Sequence, residues 1–139
     1  MPRWSAARKV KTLGGRATNI EDSRIRSIST RRAFHSTLRG TIGSTQPVIV
    51  FFVAPWAAQC ATMVPYIAEI SKMREFRHCL FLRVNVDVLK TVAKAARVKK
   101  VPTFKFYVLG RPVCTVEGAN SKKLMLMMRK HCDVRLRSC

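Results

Sequence analysis

The side chains able to do chemistry in this 139-residue chain are its thiols. The five cysteines, Cys60, Cys79, Cys114, Cys132 and Cys139, form no C-x-x-C or C-x-x-H pair, and an odd number leaves at least one thiol free. That spacing indicates neither a zinc site nor a disulfide framework. His78-Cys79 and His131-Cys132 are adjacent pairs, and adjacent residues point apart on regular structure. Usual ligand spacings are not met, so no metal or cofactor is implied. Cys60 has a different context, because it closes the stretch "VIVFFVAPWAAQC", residues 48–60, where an apolar run leads through Trp56 to a helical pattern. A helix start offers unpaired N–H groups and a dipole end that favour a thiolate, so redox chemistry is the question this stretch raises.

The elements that must position these residues follow from Pro47 onward. "VIVFFVA" is a continuous β-branched and aromatic run, expected of a central strand buried on both faces. "QCATMVPYIAEISKM" has helical spacing at Met63, Ile67 and Ile70, with Pro65 expected to kink it. "CLFLRVNVD" predicts a second strand, and "LKTVAKAAR" a short helix with Leu89, Val92 and Ala96 inward. "TFKFYVLG" and "PVCTVEG" predict a hairpin with its turn at Gly110-Arg111-Pro112. "SKKLMLMMRKH" closes as a helix capped by Asn120 or Ser121, with Leu124, Met127 and Met128 toward the core. The order β-α-β-α-β-β-α predicts an α/β fold with one mixed four-stranded sheet flanked by helices.

Composition divides the chain into residues 1–46, 47–132 and 133–139. The first segment carries ten Lys or Arg against Glu21 and Asp22, is rich in Ser and Thr, and has few large apolar residues. An Arg-rich, Ser-rich, acid-poor start is the signature of a mitochondrial transit peptide, with "RRAFHST" around Phe34 as the expected neighbourhood of cleavage. The alternative is a disordered basic arm that binds RNA or a partner. Residues 133–139 form a basic tail. No apolar run reaches the roughly 18 to 20 residues that span a bilayer.

Read with its punctuation, this order resembles thioredoxin over residues 47–131. The strand leads to Ala54-x-Trp56, Cys60 lies where the family has its second active-site cysteine, and Pro65 sits at the family's helix kink. "VNVD" ends the next strand, "VPTF" supplies the family's cis-proline at Pro102, and Gly110 and Gly118 mark the last turns. The resemblance implies a thioredoxin-like fold whose first strand and helix are missing or replaced by the basic arm. It also implies a degenerate site at Trp56, Ala57, Cys60 and Pro102, with W-A-A-Q-C in place of W-C-G-P-C. The nucleophile position is Ala57, the position of the family's buried aspartate is Phe51, and Cys60 corresponds to the shielded resolving cysteine. The expectation is therefore a pseudoenzyme without disulfide oxidoreductase activity, whose loop at Pro102 could still pair with a peptide.

Charge sets the expected partners. The chain has 27 Lys or Arg against 7 Asp or Glu, and a leader does not account for the excess, since residues 47–139 hold 17 against 5. Lys90, Lys94 and Arg97 are expected on one helix face, continued by Lys99 and Lys100; Lys122, Lys123, Arg129 and Lys130 lie on the last helix, and Arg135 and Arg137 in the tail. Basic faces almost without acid partners fit phosphate backbones read by shape. Together with the transit-like start, they predict a protein of the mitochondrial matrix bound to ribosomal RNA and to ribosomal proteins or assembly factors. Its role would be a structural subunit or an assembly factor, without self-assembly. The alternatives are a peptide-binding subunit of a protein-only mitochondrial complex and a residual single-thiol redox protein.

Overall fold

The computed structural model describes residues 23–132. At its centre Val48–Val53 (β2) is buried at every residue, as an unbroken β-branched and aromatic run requires of a strand covered on both faces. Ile25–Ile28 (β1), β2, Leu80–Asn85 (β3), Thr103–Val108 (β4) and Arg111–Glu117 (β5) form one sheet in the order β1-β3-β2-β4-β5. β1 and β2 run parallel to β3, whereas β4 is antiparallel to β2 and β5 to β4. Arg31–Arg39 (α1), Ala58–Lys72 (α2), Lys90–Ala95 (α3) and Ser121–Cys132 (α4) cover the sheet. Helix α2 continues through Pro65, and a 3-10 turn at Arg74–Phe76 follows it. On one face α2 and α4 pack Cys60, Met63, Ile67, Leu124 and Met128 against Phe51, Phe81, Phe104 and Phe106. On the other, α1 and α3 pack Phe34, Val92 and Ala93 against Val50, Phe52, Leu82 and Tyr107.

The expected thioredoxin-like architecture is present, with five strands rather than four. The extra strand and helix come from residues that composition assigned to the arm, so the domain begins before residue 47. Helix α1 is capped by Thr30, whose side chain accepts from the Ala33 N–H at 3.0 Å. Phe34 is 4% exposed, with ring centroids 6.5 Å from those of Phe52 and Tyr107. Cleavage there would remove β1 and split α1; the part of the transit reading on residues 1–22 lies outside the described residues, as does the tail 133–139. Arg24 also has a structural task. Its guanidinium donates to the carbonyls of Ser71 at 3.1 Å, Phe76 at 3.4 Å and Cys79 at 3.0 Å, and its backbone N–H to Ser71 Oγ at 3.2 Å. These bonds satisfy one carbonyl in the last turn of α2 and two beyond it, where cations are favoured, and tie the chain entering β1 to that helix.

Two turns differ from expectation. The hairpin turns on Leu109 and Gly110, with φ of 56° and 78°, and Arg111 and Pro112 already belong to β5. Positive φ at both central residues is what a type I′ two-residue hairpin turn demands. A Cβ on Gly110 would meet Ile42 Cγ1 at 2.9 Å. Gly110→Ala is thus expected to destabilise by about 1 kcal/mol or more, read as a lower urea midpoint. Helix α3 stops at Ala95, and Arg97 takes the left-handed conformation with φ 60°. The Val98 N–H reaches Ala93 O at 3.0 Å and the Arg97 N–H reaches Lys94 O at 3.0 Å, a Schellman closure. Among the described residues no helix is long and apolar enough to cross a membrane.

Candidate functional site

The carboxyl end of β2 and the start of α2 carry the thiol site. Trp56, in the turn between them, is 70% exposed, and its indole Nε1 donates to Asp87 Oδ2 at 2.9 Å. Asp87 is itself placed by its N–H, which donates to Asn85 Oδ1 at 2.8 Å. The indole is therefore held by the turn that follows β3. Ala57 is the N-cap of α2, extended at φ −91° and ψ 117°, buried, and without a side-chain capping bond. Its N–H donates to Ala54 O at 3.2 Å, and the Cys60 N–H donates to Ala57 O at 3.1 Å, so the first turn closes through backbone alone.

Cys60 is 1% exposed. Burial pushes its thiol above the ordinary range, an effect opposed by a hydrogen bond to the Ala54 backbone. Beneath the site Phe51 stacks on Phe104, with centroids 4.8 Å apart and planes 3° from parallel. The Val101–Pro102 peptide bond is cis. Pro102 O accepts from the Gly118 N–H at 2.8 Å, and the Thr103 hydroxyl donates to Lys100 O at 2.7 Å, which anchors the loop on both sides. Val101 packs on the cluster that contains Ala57 and Cys60.

The structure thus gathers Trp56, Ala57 and Cys60 at one helix start, beside a core that Val101 also joins. Asp87 was missed in the sequence. Its only signal there is the acid ending "VNVD", 31 positions from the indole it holds. The basic residues do not form one face. Lys90 and Lys94 are exposed on α3, Lys122, Lys123, Arg129 and Lys130 on α4, and these helices cover opposite faces of the sheet. Arg97 leaves the helix face because α3 has already ended; with Lys99 and Lys100 it is exposed on the segment before β4. Arg129 Nε lies 3.3 Å from Glu75 Oε2, which offsets part of its charge. Arg135 and Arg137 lie outside the described residues.

A mixed sheet sandwiched by four helices, a cis-proline loop and a thiol in the first turn after the central strand define a thioredoxin-like thiol domain. The chain belongs to the thioredoxin family, whose model matches residues 26–130. It is 31% identical to thioredoxin H-type 1 of Nicotiana tabacum over 115 residues, 83% of this chain and 90% of that protein. It is 32% identical to the thioredoxin of Oryctolagus cuniculus over 100 residues, 72% of this chain and 91% of that one. Among solved structures, a thioredoxin h of Nicotiana alata superposes with a TM-score of 0.75 at 26% identity, covering 80% of this chain and 95% of that one.

Membership overturns the expectation that the chain is not an enzyme, since the relatives are thioredoxins and thioredoxins are disulfide oxidoreductases. The expectation rested on what position 57 lacks. Cys60 lies in the first turn of α2 in a thioredoxin fold, and the residue type at position 57 does not by itself establish lost chemistry. Cys60 is the thiol to measure. Its burial and raised pKa predict alkylation by iodoacetamide at neutral pH about tenfold or more slower than in the urea-unfolded chain, accelerating as pH rises past the ordinary thiol range. Peptide mass mapping reads Cys60 separately from the other cysteines; equal rates in the two states would show that the thiol is open.

Proposed function

We propose that this thioredoxin-family protein works in the mitochondrial matrix, held through basic faces on ribosomal RNA of the mitochondrial ribosome or its precursor, as a subunit or an assembly factor. The observation that carries this reading is the charge of the folded part. Residues 23–132 hold 20 Lys or Arg against 4 Asp or Glu. Of those four carboxylates, Glu69 lies near Lys72, Glu75 near Arg129, and Asp87 is engaged by Trp56. Lys90, Lys94, Arg97, Lys99 and Lys100 are exposed with no carboxylate partner among the described residues. Such unpaired cations release counterions when they meet phosphates, which favours RNA as the partner. The basic, acid-poor residues before β1 support the matrix address.

Sedimentation of the tagged protein from mitochondrial lysate, with and without ribonuclease, tests this reading. Expected is co-migration with ribosomal particles that is lost on digestion. Replacing Lys90, Lys94, Arg97, Lys99 and Lys100 by glutamate is expected to abolish that association at physiological salt and to flatten the log–log salt slope of binding by about 3 to 5. Association indifferent to both treatments sinks the proposal.

A second reading is favoured by the exposed indole of Trp56, two residues before the helix that carries Cys60 in its first turn. A polypeptide held along the Pro102 loop would present its disulfide over the start of α2, where the first turn must open to expose Cys60, 1% exposed in the folded chain. The Cys60 thiolate attacks one sulfur, a Cys60–substrate disulfide forms as the substrate S–S bond breaks, and the departing thiolate takes up a proton. Mass spectrometry after incubation with an oxidised model peptide is expected to find the adduct on Cys60 and none in Cys60→Ser. No adduct on the unmodified chain removes this reading.

A further inference from the structure

The face of the sheet turned away from Cys60 holds a cavity of about 610 Å³ between α1, α3 and the β4–β5 hairpin. Its volume falls within the range of small-molecule sites. Phe34, Val92 and Tyr107 are buried residues that line it, while Arg31, Arg97 and Lys105 add three cations, and no carboxylate among the described residues contributes to its walls. Among the described residues none of these three cations has an acidic partner.

Tyr107 gives the second observation. It is 6% exposed, yet its hydroxyl makes no hydrogen bond to a described residue, and it is not among buried polar atoms cut off from all partners. Tyr107 lines the cavity, and its unbonded hydroxyl keeps access to solvent. A ligand acceptor in the cavity would exchange that water contact for a direct hydrogen bond from the phenol. Burial raises the Tyr107 pKa to about 12, so the hydroxyl remains a donor across the physiological range.

We propose that this cavity binds a small amphipathic organic anion: an apolar aromatic or alkyl body bearing a single carboxylate or phosphate. The body lies over Phe34 and Val92, and the anionic head takes the Tyr107 hydroxyl and the charges of Arg31 and Lys105. The cations select the sign of the ligand and the floor selects its apolar body, so neither a neutral chain nor a bare anion meets both demands. The site shares Arg97 with the RNA-facing set but depends on Arg31, Lys105 and Tyr107, which that set does not include. The two proposals can therefore fail separately.

The test is titration of the full isotope-labelled chain with octanoate and with phenyl phosphate, followed by amide chemical shifts, with 1-octanol and inorganic phosphate as controls. At least one of the two anions is expected to shift the amides of Phe34, Lys105 and Tyr107 saturably, about tenfold or more tightly than either control. The double variant Arg31→Gln/Lys105→Gln is expected to weaken binding about tenfold or more, and Tyr107→Phe about threefold or more, with thermal melts verifying that each variant is folded. A carboxylate-only or phosphate-only response identifies the head group and supports the site. The proposal is overturned by equal binding of 1-octanol or inorganic phosphate, by unchanged affinity in the folded variants, by shifts centred on Trp56, or by no response up to about 5 mM.

Discussion

Replacing Phe34 by alanine is expected to lower the unfolding free energy by about 3 to 5 kcal/mol, seen as a fall in the urea midpoint at unchanged slope. Phe34 is the one buried residue of α1, and it fastens that helix to Phe52 on the central strand and Tyr107 on its neighbour. Truncation leaves a void that other residues of α1 cannot fill, because Arg31, Arg32, His35, Ser36 and Arg39 are exposed. A loss of this size is a large part of the roughly 5 to 15 kcal/mol that holds a domain folded. If residues 25–39 were instead a dispensable leader, the substitution would change stability by about 0.5 kcal/mol or less. A chain starting at residue 23 is likewise expected to fold, and one starting at residue 35 to fail, as judged by cooperative urea unfolding.

How much the sequence disclosed depends on which side chains each element buries. β2 was legible because every residue of "VIVFFV" is inside, and α2 because its apolar spacing persists on both sides of Pro65. β1 was not. It is four residues long at a sheet edge, with Arg26 and Ser27 exposed, so local periodicity has nothing to register. Helix α1 is equally silent, since one phenylalanine anchors nine mostly polar residues and the same arginines satisfy the compositional signature of a leader. Only its cap, Thr30 three residues before Ala33, was a local signal. β4 was expected to alternate, yet Thr103, Phe104, Phe106 and Tyr107 are all buried, because helices cover both faces of the sheet there. At the thiol site Trp56, Cys60 and Pro102 could be read from landmarks along the chain. Asp87 could not, because its bond to Trp56 joins two turns that meet only after β2 and β3 have paired.

Phe51→Asp is expected to be the most destabilising change at the site, even though it would put back the carboxyl that the family resemblance places there. Phe51 is 1% exposed on the central strand and lies flat against Phe104. An aspartate there loses that stacking and opens a cavity of the kind that costs about 3 to 5 kcal/mol, and its carboxylate would be drawn from water among the apolar side chains of its cluster. Burial raises the folded-state pKa of such a carboxyl above the unfolded value of about 3.9. The sign of the pH dependence follows. Below the unfolded value both states are protonated and the charge penalty is absent; it grows as pH rises through that value and is complete above the folded pKa. Phe51→Asn has the same shape and no charge, so it isolates the packing loss. The expected result is that Asp and Asn variants match near pH 3 and diverge toward pH 7, with Asp the less stable or wholly unfolded. An Asp variant as stable at pH 7 as its Asn counterpart would mean that water or a polar partner reaches position 51, and that the floor of the thiol site is more open than its aromatic stack implies.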